Sequence, residues 1–128
     1  MTTTALHTTI RDTLTTAGIH AAIGPAPTLP DTTGGQAAIL WPHPPLGQYG
    51  RLSGGRSGRT HTLTVICVGH TTLDALAAAD NVDNTLAGLH VAGGILTQTL
   101  AVPPTPEPGA APARVQVVLE YTVITKGT

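Results

Sequence analysis

Apolar and polar positions along the chain follow two periods. Over residues 3–17, Leu6, Ile10, Leu14 and Ala17 recur at intervals of three and four, which lays one apolar stripe along a helix. Gly18 followed by Ile19 supplies its stop, a glycine for the left-handed position and a hydrophobe to fold back on the last turn. Threonine is a weak helix former, so packing has to hold this Thr-rich segment. A second helix starts at Thr71 and Asp74, spaced as a capping box, and runs to about Leu89. Leu76, Ala79, Val82, Leu86 and Leu89 form its buried stripe, with Asp74, Asn81, Asn84 and Thr85 outside it.

The strands have a period of two. Gln36–Trp41 is a short apolar strand ended by Pro42, after a connection over 24–35 that holds three prolines and three glycines. Thr60–Gly69 is β-branched throughout and presents Leu63, Val65 and Cys67 on one face, Thr62, Thr64, Ile66 and Val68 on the other. Ile95–Val102 is a third strand, followed by a loop over Pro103–Pro112 with five prolines. Arg114–Thr125 alternates Val115, Val117, Leu119, Tyr121 and Val123 against polar residues, except that Val118 and Ile124 interrupt the polar face. The order helix, strand, strand, helix, strand, strand predicts one α+β domain over residues 1–128. It is a two-layer sandwich, with a mixed or antiparallel sheet of about four strands and both helices on one face. Such a sheet has one face open, and Ile66, Val68, Val118 and Ile124 make that face apolar, as a partner contact would.

Composition narrows the classes. Hydrophobic residues are 41% of the 128 and charged residues 10%, against about 25% charged in ordinary soluble domains. The net charge of −1 and pI near 6.6 argue against a generally basic nucleic-acid binder. No apolar run is long enough to span a membrane, and the first residues lack the pattern of a secretory signal. With no Phe, one Trp and two Tyr, the core must be built from Leu, Val, Ile and Ala, so association with other subunits is expected to add stability.

Candidate chemistry is sparse. His7, His20, His43, His61, His70 and His90 are scattered and form no short metal-binding pair, so they read as surface or loop histidines. Cys67, mid-strand among Val65, Ile66 and Val68, reads as a small core hydrophobe. Asp74, Asp80 and Asp83 share the second helix and read as solvated. Gly50–Ser57 has phosphate-loop spacing with Arg56 in place of lysine, but a strand follows it where that motif needs a helix. These patterns specify no enzyme, cofactor or metal site. The Gly47–Arg59 segment remains, with five glycines and Arg51, Arg56 and Arg59 against no acidic residue. It is long for a turn between strands, and two readings stand side by side: a solvated hairpin tip, or a loop that orders against a partner, with arginines suited to carboxylate or phosphate groups.

Thr64-Val65-Ile66-Cys67-Val68-Gly69, the helix after Thr71-Thr72, and Asn84-Thr85-Leu86-Ala87-Gly88-Leu89 resemble the middle of tail terminator proteins from long-tailed bacteriophages and prophages of actinobacteria. The N-terminal helix, the Ala38-Ile39-Leu40-Trp41-Pro42 strand, the Gly/Arg hairpin and the closing Val117-Val118-Leu119-Glu120-Tyr121 strand follow in that family's order. The resemblance implies a structural virion protein, assembled in the bacterial cytoplasm as a hexameric ring at the head-proximal end of the tail tube. Such a ring stops tube growth and docks to the head, with the tube protein and a head–tail connector or stopper protein as partners and DNA passing through its lumen. It implies no cofactor. Arg51, Arg56, Arg59, Ile66, Val68, Val118 and Ile124 are then the expected contacts with subunits or partners. Another neck ring and a non-viral protein-binding module are the alternatives, and an enzyme would require the histidines to converge.

Overall fold

A computed structural model describes residues 3–24, 36–42, 46–48, 58–91, 93–106 and 114–126. Helix α1 (Thr3–Thr16) buries Leu6, Ile10 and Leu14, with His7 on the same stripe. Thr13, Thr15 and Thr16 donate their hydroxyls to the carbonyls of Thr9, Arg11 and Asp12 at 2.8–2.9 Å, so each satisfies its side chain within the helix. The stop is the one the sequence predicts. Gly18 has φ +86°, its N–H donates to Thr15, and the Ile19 N–H donates to the carbonyl of Leu14 at 2.9 Å.

The strands are β1 (Ala21–Ile23), β2 (Ala37–Pro42), β3 (Leu46–Gln48), β4 (Gly58–Gly69), β7 (Thr97–Pro106) and β8 (Val115–Lys126), forming one six-stranded sheet. The order is β1-β2-β4-β8-β7. β1 lies parallel to β2, and the other pairings are antiparallel. β8 lines one edge of β4 throughout, while β2 and then β3 share the other. Helix α2 (Thr72–Leu86) and α1 cover one face, α2 over β4 and β8 and α1 over β1 and β2. A small hairpin, β5 (His90–Val91) with β6 (Gly94–Ile95), precedes β7. The expected α+β sandwich with both helices on one face is present. The sheet is larger than four strands because β1 and β3 are three-residue strands too short to show alternation. β7 runs through Pro103 and Pro104 to Pro106, where a loop is expected from the prolines. It is an edge strand, so its prolines need no partner on the outer side, and its register shifts between Val102 and Thr105 accommodate them.

α2 is capped as its sequence indicates, the Thr71 hydroxyl accepting from the Asp74 N–H at 3.2 Å. It ends at Leu86, three residues before the expected Leu89, because Gly88 turns left-handed at φ +77° and its N–H passes to the carbonyl of Leu96. Its buried stripe is Ala75, Ala78, Ala79, Val82 and Leu86, while Leu76, expected inside, is 38% exposed and Leu73 77% exposed. Close approach explains the rotation. A Cβ on Gly69 would lie 2.5 Å from the Ala75 nitrogen and 2.6 Å from the Asp74 carbonyl carbon, so alanines must face the sheet where the helix begins. Those atoms are backbone and cannot step aside. Gly69→Ala is therefore expected to destabilise the fold by about 2 kcal/mol or more, as overpacking does, read as a lowered urea midpoint.

Candidate functional site

The β4–β8 register divides the sheet into two unlike faces. Leu63, Val65 and Cys67 pair with Tyr121, Leu119 and Val117 under the helices. On the other face the register aligns Ala22, Ile39, Ile66, Val118 and Val102 in one row across β1, β2, β4, β8 and β7. Five strands at about 4.8 Å spacing make that row roughly 19 Å long. The next row on one side is mixed, with Trp41 (44% exposed) and Leu100 (49%) flanking Thr64 and Glu120, and Ile124 (55%) stands further along β8 beyond Glu120 and Thr122.

Of the residues expected on this face, Ile66 and Val118 lie in the row, partly buried, and Ile124 stands exposed on the same face about 20 Å further along β8. Val68 has the expected parity but is 0% exposed, so it has no surface to offer a partner. At that corner its cross-strand partner Ala37 is also buried, and the Nε of Arg114 is buried. By alternation Arg114 shares the face of Gln116, the other partner of Val68, and long side chains reach diagonal positions on a sheet. Trp41, Leu100 and the partly buried Val102 are surface members that the strand patterns alone did not single out, and Ile39 completes the row while itself buried at 8% exposure. A signal existed for Ile39 and Trp41: Ala37–Trp41 is apolar without alternation, the mark of a strand with two apolar faces. Thr99 and Glu120 add a polar margin, the Thr99 hydroxyl donating to Glu120 Oε1 at 3.2 Å.

Arg51 and Arg56 lie outside the described residues. Arg59 is placed by its backbone in β4, opposite Thr125 of β8 and Gly47 of β3, so the Gly/Arg segment leaves from this end of the sheet. The strand pairing takes up Gly47, Gln48, Gly58 and Arg59.

The titratable groups differ from expectation at three places. His7 and His61 are buried, not surface residues, because one sits on the α1 stripe and the other on the core face of β4. His20, His70 and His90 are exposed, and His43 lies outside the described residues. Asp83, expected to be solvated, accepts the Tyr121 hydroxyl at 2.7 Å and ties α2 to β8. Among the described residues, no three His, Cys, Asp or Glu side chains converge as a metal site, and no helix is long and apolar enough to cross a membrane.

The chain matches no protein-family model and no curated protein sequence. Among solved structures it is similar to a chain of the virion of a native gene transfer agent particle, with TM-score 0.54 and 18% identity, over 92% of this chain and 84% of that one. What the two share is the fold.

Burial pushes the Cys67 thiol up to about 12, with the Asp83 carboxylate adding to it. Burial also raises the Tyr121 phenol well above its ordinary value, helped by its hydrogen bond to Asp83. Both groups hold their protons more tightly folded than unfolded. Their contribution to stability is complete below the ordinary values of 9.0 and 10.0 and is lost as pH rises through the folded ones. The urea midpoint is expected to fall steadily above pH 9, and Cys67 to react with maleimide at pH 7.5 only after unfolding. Fast labelling of the native chain would contradict the burial.

Proposed function

We propose that the chain is a structural subunit of a tailed virion or virion-like particle. More specifically, it is a tail terminator: a ring, read as a hexamer, at the head-proximal end of the tail tube. The observation that carries this reading is the apolar row Ala22–Ile39–Ile66–Val118–Val102 on the face the helices leave bare. A contiguous exposed apolar surface marks an interface, and the fold is similar to that of a chain in a gene transfer agent virion. The resemblance of Thr64–Gly69, the helix after Thr71-Thr72, and Asn84–Leu89 to tail terminators supports the finer assignment.

In this reading copies of the chain contact one another through Ile66, Val118 and Ile124, joined by Trp41. Head-to-tail contacts that close produce a ring. The ring ends polymerisation of the tail tube protein and offers its other side to a head–tail connector or stopper protein. DNA passes through the lumen without sequence recognition, and the assembled location is the virion, built in the host cytoplasm. Arg51, Arg56 and Arg59 sit at or near a subunit contact. No catalytic step is assigned.

Electron microscopy of the purified chain, alone and with the tail tube protein encoded in the same genome, tests this. Rings, or tubes capped at one end, are expected. Ile66→Lys combined with Ile124→Lys should abolish them while leaving the circular dichroism spectrum unchanged. Rings at wild-type yield from the double variant, or a wild-type chain that stays monomeric beside bare tube ends, would contradict the proposal.

A further inference from the structure

A second surface lies on the helix side of the sheet, between α2 and the edge strand β7. It is an open groove of about 410 Å³ whose floor includes Ala101, Val117 and Leu119 and whose rim includes Leu76, Asp80 and Asp83. Leu76 is 38% exposed there and Asp80 is exposed. Asp83 is held in place by the Tyr121 hydroxyl on Oδ1, which leaves its other oxygen as an oriented acceptor. Its floor residues Val117 and Leu119 are core side chains and Val102, the end of the row on the opposite face, also borders it, while Leu76 and Asp80 stand exposed on its rim.

Charge is segregated along the chain in a way that fits the groove. α2 carries Asp74, Asp80 and Asp83 and no basic residue. Residues 47–59 carry Arg51, Arg56 and Arg59 and no acidic residue, half of the six basic side chains in the sequence. Among the described residues, the groove and Arg59 stand far apart along β8. The groove floor is at Val117 and Leu119, whereas Arg59 pairs with Thr125, which is about 20 Å further along β8 at roughly 3.3 Å per residue. Complementary patches set far apart on one molecule make a head-to-tail contact between copies, the kind that closes into rings. An added strand on the β7 edge fits less well, because prolines and register shifts interrupt that edge.

We infer that the α2–β7 groove receives the 47–59 segment of a second copy of this chain, its arginines against Asp80 and Asp83. The inference rests on the ring reading above, and adds to it the surface that the arginines meet. Guanidinium groups pair with carboxylates in planar two-bond geometry, which gives register as well as attraction.

A synthetic peptide of residues 47–59, titrated into the full chain, tests the contact without requiring a ring. The recipient chain carries Arg51→Ser, Arg56→Ser and Arg59→Ser, so that its own segment cannot compete. Saturable binding is expected, shifting the amide NMR signals of Leu76, Asp80 and Ala101. Asp80→Lys in the recipient should weaken it at least tenfold. A peptide with the three arginines changed to glutamate should prefer that Asp80→Lys chain. No binding, or equal binding to both recipients, would overturn the contact while leaving the ring intact. Peptide binding by a chain that forms no rings would overturn the ring reading alone.

Discussion

The unbroken ladder between β4 and β8, from Gly58 opposite Lys126 to Gly69 opposite Val115, sets the position of everything else. Because side chains alternate with a period of two, a slip of one residue would send every one of them to the wrong side. In the observed register Leu63, Val65, Cys67, Val117, Leu119, Tyr121 and Val123 form one wall of the core, and the two helices close over it. The same register aligns Ile66 with Val118 on the other face, where no helix lies. An apolar row on the sheet face that no helix covers is a surface that water does not favour. The proposed assembly would remove that surface from water, which is how the ladder bears on it.

Two local devices keep the helix layer in register with the sheet. Gly69 lets the start of α2 approach the end of β4 at backbone distance, so alanines face inward there and the leucines Leu73 and Leu76 face out. The Tyr121–Asp83 hydrogen bond ties the far part of α2 to β8. The resulting chain has an exposed apolar surface on each side, one on the open sheet face and one along α2. Two apolar surfaces on opposite sides suit a subunit with neighbours on more than one side.

Much of this was legible in the sequence, and the exceptions have physical causes. The α1 stripe from Leu6 to Leu14, the Gly18–Ile19 stop and the Thr71 cap are local chemistry, read from residues a few positions apart, and are present, whereas Ala17, expected on the stripe, lies past the helix end and is exposed. The faces of β4 and β8 follow from alternation. The rotation of α2 is not local, since both Leu76 and Ala75 fit a helical stripe and only the approach of Gly69 decides between them. β1 depends on parallel pairing with β2, and Ala-Ala-Ile has no alternation to announce it. Val68 was placed on the correct face, but closure at its corner depends on side chains from other strands. The depth of His7 and His61 follows from their positions on apolar faces, which residue type alone does not announce.

The central claim is that the bare sheet face is a contact between subunits, and protection of one introduced thiol tests it most directly. The native Cys67 is buried with its thiol pushed up to about 12, so a cysteine placed at Ile124, 55% exposed, reports alone. In the free Ile124→Cys subunit, maleimide should react at the rate of an exposed thiol. In rings or tube-capping assemblies of the same chain, the reaction should slow at least tenfold. Equal rates in the free and assembled protein would mean that this face meets solvent in the particle, and would contradict the account.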